Sequence, residues 1–166
     1  MRLLAPLLLA LFVAACSHKQ PPASWTNAHW GMMPSEVESA VPGLTPDNGS
    51  HLASGAAAQL RADKAVVADA TLPAQFYFLD SRLVQIMFSD SQYRGNAATE
   101  KAVNQLAATL RKQYGQETAE PPMDPGTGLS RQYTWKSGDT EIVLVASPVT
   151  ATTSQYSVIY RKAGAN

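Results

Sequence analysis

The chain is 166 residues long and carries 13 Lys and Arg against 13 Asp and Glu, so its formal net charge is zero. That balance argues against nucleic acid as a partner, because phosphate neutralisation needs a cationic surface. A hydrophobic fraction of 45% excludes wholesale disorder and suits one globular domain, while a charged fraction of only 16% leaves solubility to Ser, Thr, Gln and Asn.

Arg2 supplies a positive start, and Leu3 to Val13 is apolar apart from Pro6. The run falls short of the roughly 20 apolar residues of a membrane-spanning helix, and it has the anatomy of a secretory signal. It ends on Val13-Ala14-Ala15-Cys16, which resembles the lipobox of bacterial lipoproteins. That resemblance implies a signal peptide over 1–15, cleavage between Ala15 and Cys16, and lipid on Cys16. Ser17, where an Asp would favour the inner membrane, then implies the periplasmic face of the outer membrane. The competing reading is a plain signal peptide with an incidental cysteine. Cys16 is the single cysteine, so no intramolecular disulfide exists, and acylation would remove a thiol otherwise open to intermolecular pairing.

Residues 16–24 read as a polar, Pro-containing tether, and 25–162 as a single α+β domain. Pro34 suits a first helical position and Glu36 its first turn. Met33, Val37, Ala40, Val41 and Leu44 recur at helical spacing, and Pro42-Gly43 stops the helix. Thr45 to Gly55 reads as a polar loop. Ala57 to Asp69 is ambiguous between one irregular strand, two short strands and an Ala-rich helix. Ala74–Leu79 and Leu83–Phe88 form a hairpin around Asp80-Ser81-Arg82, with Leu79 opposite Leu83, Phe78 opposite Val84 and Phe76 opposite Ile86. This register puts Phe76, Phe78, Val84, Ile86 and Phe88 on a core face, and Tyr77, Leu79, Leu83 and Met87 on the other.

Ala97 to Tyr114 is the strongest helix, with Asn96 as N-cap, Gly115 just past its end, and Val103, Leu106, Ala107, Leu110 and Tyr114 in one stripe. A Pro- and Gly-containing loop follows over 117–128. Gly138-Asp139 then fits a type II′ hairpin turn, which pairs Lys136 with Glu141, Trp135 with Ile142 and Tyr133 with Leu144. Gln155 to Arg161 alternates with Tyr156, Val158 and Tyr160 in phase, and 163–166 reads as a loose end. The order helix, strands, helix, strands predicts an antiparallel sheet with two helices packed on one face. The two halves look like rough copies of one layout.

The string Trp30-Gly31-Met32-Met33-Pro34-Ser35-Glu36-Val37 and the hairpin Phe76-Tyr77-Phe78-Leu79-Asp80-Ser81-Arg82-Leu83-Val84 resemble two motifs of small envelope domains. These are the outer-membrane assembly lipoproteins of the BamE (small protein A) type and the β-lactamase inhibitory proteins. The sequence departs from them at Met33, where they place a capping Ser or Thr, and in its longer segment before the hairpin. The resemblance implies a helix-on-sheet module that binds other proteins; no binding residue carries over.

Catalytic and metal chemistry find little footing. The three histidines, His18, His29 and His51, lack ligand spacing, and no H-E-x-x-H, G-x-S-x-G or P-loop is present. Asp80 and Asp90 read as turn formers. Glu36 and Glu38 lie on different helix faces. No catalytic residue, metal site or cofactor is expected beyond lipid on Cys16. Trp25, His29 and Trp30 cluster after the tether, either as a partner-binding patch or as a plug on the core. The expectation is a non-catalytic, protein-binding lipoprotein, an accessory to envelope assembly or a modulator of a neighbour. The alternative is a small-ligand module for a lipid, peptide or glycan.

Overall fold

A computed structural model describes residues 25–90, 92–118 and 129–164. The expected signal peptide, the Ala15–Cys16 cleavage point, the tether over 16–24 and most of the 117–128 loop lie outside the described residues.

In chain order the elements are a 3-10 turn at Trp25–Asn27, helix α1 at Pro34–Ala40, and strands β1 at Thr45–Pro46, β2 at Ala57–Val67, β3 at Ala70–Leu79, β4 at Arg82–Ser89 and β5 at Arg94–Gly95. Helix α2 at Asn96–Tyr114 follows, then β6 at Arg131–Ser137, β7 at Thr140–Pro148 and β8 at Thr153–Lys162. The eight strands form one antiparallel sheet in the order β1-β2-β3-β4-β8-β7-β6, with the short β5 pairing β8 off this path. The β2-β3-β4 and β6-β7-β8 meanders therefore meet at their last strands. Each is preceded by a helix, which is the repeated layout the sequence suggests.

Both helices bury their apolar stripes on the same sheet face. Val37, Val41 and Leu44 join Val103, Leu106, Ala107 and Leu110 in one core with Phe76, Phe78, Ile86, Phe88, Trp135, Ile142 and Leu144. The fold is α+β, with two helices on one face of the sheet. Helix α1 starts on Pro34, and the Glu36 carboxylate accepts the Met33 N–H at 2.7 Å, which satisfies one otherwise unpaired donor. Met33 itself is exposed and outside the stripe, because it precedes the first helical turn. Gly115 ends α2 at φ +83° and donates its N–H to the Arg111 carbonyl at 2.9 Å. Asn96 is the first helical residue and not the cap. Its amide donates to the Ala151 carbonyl and its oxygen accepts from the Ser154 hydroxyl, both at 3.0 Å, tying the helix start to β8.

The ambiguous segment is one irregular strand. Its register against β3 shifts between Ala58 and Leu60 and again between Ala62 and Ala65. At the second shift Asp63 and Lys64 lie opposite Pro73, which has no N–H to give a ladder.

The first hairpin differs from the expected register. Asp80 and Ser81 both have positive φ, 49° and 58°, and make a two-residue turn that pairs Leu79 with Arg82 and Phe78 with Leu83. A bulge at Val84 then restores Phe76 opposite Ile86. Leu83 consequently enters the main core, fully buried, and Val84 moves to the opposite face beside Tyr77 and Met87. The second hairpin follows its expected register: Gly138 alone has positive φ, 60°, and Lys136, Trp135 and Tyr133 face Glu141, Ile142 and Leu144. The Glu141 carboxylate, however, pairs with Arg161 on β8 at 2.7 Å. The chain end is tied down at least to Ala163, whose N–H donates to the Asp139 carbonyl at 2.7 Å.

On the other face of the sheet, Tyr77 is fully buried under the loop that follows β1. Its hydroxyl lies 2.6 Å from the Ser50 hydroxyl and donates to the Gln75 side-chain oxygen at 3.1 Å, while Gln75 donates to Asp47 at 2.9 Å. Burial pushes the Tyr77 phenol above its ordinary range. Beyond this corner Gln85, Thr134 and Val143 are buried on the same face, and Met87 and Ile159 are half-buried. Met87, Ile159 and Val143 stand side by side across β4, β8 and β7, with Val145 nearby.

Candidate functional site

The three aromatic positions after the expected tether come together over the two central strands, on the helix-covered face. Helix α1 has only 7 residues against 19 in α2, so about 10 Å of cover faces about 28 Å. The segment from Trp25 to Met32 fills what α1 leaves bare. Gly31 donates to the Leu83 carbonyl at 2.9 Å and Leu83 donates back to Met32 at 2.8 Å, so the segment is stitched beside β4. The Asn27 amide donates to the Ala40 carbonyl at 3.3 Å, which ties the 3-10 turn to α1.

Trp25 lies on the sheet with its ring centroid 4.6 Å from that of Tyr160 and 5.2 Å from that of Phe88. Its indole N–H donates to the Val66 carbonyl at 2.6 Å. Trp30 is half-buried, and its indole N–H donates to the Thr140 hydroxyl at 2.8 Å, across 110 residues of sequence. His29 is exposed between them. The two tryptophans pack against the core while each stays half-buried, with His29 exposed beside them.

They also wall a cleft of about 340 Å³, within the size range of small-molecule sites. Its lining includes Trp25, Trp30 and His29 from the N-terminal segment, Tyr114 from the end of α2, Ile86, Ile142 and Tyr160 from the central strands, and Ser137, Asp139 and Thr140 from the second hairpin. Tyr160 is almost fully buried with its ring 6.4 Å from Tyr114. Burial, and then its hydrogen bond with Tyr114, hold the Tyr160 phenol far above its ordinary range, so it stays neutral.

Comparison with protein-family models, with curated proteins and with solved structures finds no match. The cleft's own chemistry is therefore the guide.

Among the described residues no group of three His, Cys, Asp or Glu side chains is placed to hold a metal ion, and no helix is long and apolar enough to cross a membrane. His51 lies at an exposed bridge to Ala57, in a different part of the fold from His29. Asp80 sits in the first hairpin turn as expected, but Asp90 is buried, paired with Arg94, and accepts the Gln92 N–H at 3.1 Å. The cleft residues that sequence reasoning missed, Tyr114, Ser137, Asp139, Thr140 and Tyr160, come from distant segments. One signal was present: Thr140 and Ile142 are in phase on β7, so the hydroxyl faces the core side with the isoleucine.

Proposed function

We propose that this chain is a lipoprotein, acylated on Cys16 and held at the periplasmic face of the outer membrane, whose domain binds another protein without catalysing a reaction. The anchor reading is supported by Val13-Ala14-Ala15-Cys16 behind an apolar signal-like run. The binding reading is supported by one observation, the apolar row on the sheet face away from the helices, where Met87 and Ile159 are half-buried. There Met87, Ile159 and Val143 form an apolar row across β4, β8 and β7, flanked by Gln85 with the Arg161–Glu141 ion pair on one side and Ser89 with Ser157 on the other. An apolar centre with a polar rim on a rigid sheet is the anatomy of a protein interface. A partner would be an envelope protein, and the domain an assembly accessory or a modulator. The alternative, a small-ligand module, is favoured by the Trp25–Trp30 cleft.

Two experiments test the proposal. The Cys16→Ser change should abolish incorporation of labelled fatty acid and release the chain from the membrane fraction; unchanged labelling and fractionation would contradict the anchor. Ile159→Arg in the full chain should remove the protein that co-purifies from detergent-solubilised envelopes. An unaltered set of co-purifying proteins would contradict the interface.

A further inference from the structure

We propose that the Trp25–Trp30 cleft is a binding site for a small organic cation, an ammonium group carried on an apolar body. The inference rests on the small-ligand reading of this cleft and goes beyond it by naming the chemistry; it does not depend on the anchor or on the sheet-face interface.

The cleft has used its two indole donors internally. The Trp25 indole N–H is held by Val66 at 2.6 Å and the Trp30 indole N–H by Thr140 at 2.8 Å, while the Tyr160 hydroxyl is paired with Tyr114. The lining combines aromatic side chains with the Asp139 carboxylate and the hydroxyls of Ser137 and Thr140. No Lys or Arg lies in the lining. The neighbouring guanidinium, Arg82, donates to the Gly31 carbonyl at 3.1 Å, and Lys162, opposite Thr140 in register, stays outside the lining. Asp139 is the one Asp, Glu, Lys or Arg in the lining, and its carboxylate has no hydrogen bond or ion pair among the described residues.

An anionic ligand would find few donors here and a repelling carboxylate. A cation finds the negative faces of indole and phenol rings, which attract ammonium groups, together with a carboxylate at the hairpin tip. Ile86 and Ile142 offer an apolar floor for the ligand's body. Trp30 packs against the core and is half-buried in the cleft wall. The hairpin turn sets the position of Asp139: Gly138 takes the positive φ, and the Asp139 carbonyl is fixed by Ala163.

The test is titration of the purified full chain in detergent, followed by tryptophan fluorescence and calorimetry, with choline, tetramethylammonium and phenethylammonium as cations. Neohexanol, in which carbon replaces the choline nitrogen, is the neutral control, and acetate the anionic one. Choline should bind saturably and about tenfold more tightly than neohexanol, with no response to acetate. Asp139→Asn, a substitution that a hairpin turn accepts, should weaken the cations severalfold and leave neohexanol unchanged. Equal binding of choline and neohexanol would overturn the cation inference while leaving a small-ligand site. Saturation by none of these probes would overturn both. Should Asp139→Asn fail to fold, the choline-to-neohexanol ratio on the unaltered chain still decides.

Discussion

The two faces of the sheet differ in what packs against them. One is closed by α1, α2 and the Trp25–Met32 segment, and its side chains, from Phe76 to Leu144, are almost wholly inaccessible. The other is closed most fully at Tyr77, where the Asp47–Ala56 loop folds over it; in its row of Met87, Ile159 and Val143 the first two are half-buried and Val143 is buried. The main hydrophobic core lies on the first face, and the second is the surface we propose for a partner. The closed face is itself uneven. Where the longer helix covers the β6-β7-β8 meander, Trp135, Tyr133 and Tyr156 are buried with Ile142, Leu144 and Val158. Where the short helix runs out, two tryptophans complete the cover, and the join leaves a cleft.

Substitutions should separate the two faces in a graded series. Trp135 is fully buried and its indole donates to the Gly115 carbonyl at 3.0 Å, so Trp135→Ala should cost about 3–5 kcal/mol in denaturant unfolding. Trp25→Ala, at a half-buried site, should cost about 2 kcal/mol, because the ring contacts with Phe88 and Tyr160 are lost along with one hydrogen bond. A loss as small as that of an exposed residue would show that the N-terminal segment is not part of the core. Ile159→Arg, on the second face, should change stability by less than about 1 kcal/mol while removing the partner. Ser81→Gly should stabilise slightly, by about 0.5 kcal/mol, since Ser81 sits at φ +58° in the first hairpin turn.

Alkali offers a second way to sharpen the contrast. Burial raises the phenols of Tyr77, Tyr156 and Tyr160 above the ordinary value near 10. The folded state thus keeps protons that the unfolded state releases, and stability should be flat below about pH 10 and fall above it. Tyrosinate absorbance of the folded chain should lag behind that of the unfolded chain over the same range. Coincident titration of folded and unfolded chains would contradict this burial.

Much of the architecture was readable because local chemistry and hydrophobic period agreed. Gly138 before Asp139 set the second hairpin turn, and every expected pair from Tyr133 to Lys136 follows from it. The α2 stripe from Val103 to Leu110 was readable for the same reason. The first hairpin was misread because Leu83 and Val84 are both apolar, so alternation cannot say which faces the core; the bulge that decides it depends on the Asp80-Ser81 turn. Trp25, His29 and Trp30 stood out in the sequence, but not their surroundings. The Thr140 hydroxyl that holds Trp30 and the Tyr160 ring beneath Trp25 come from far along the chain, and only the β4–β8 pairing brings them together. The capping role of Asn96 was a near miss: its side chain serves the β8 side of the fold in place of the helix N–H groups.

The most direct test of the sheet-face interface is site-specific photocrosslinking of the full chain in intact cells. One photoreactive residue would replace Ile159 on the sheet face away from the helices, and another would replace Gln105 on the exposed side of α2. A discrete protein adduct from position 159 and none from position 105 is the predicted result; no adduct at 159, or the same adduct from both positions, would contradict it.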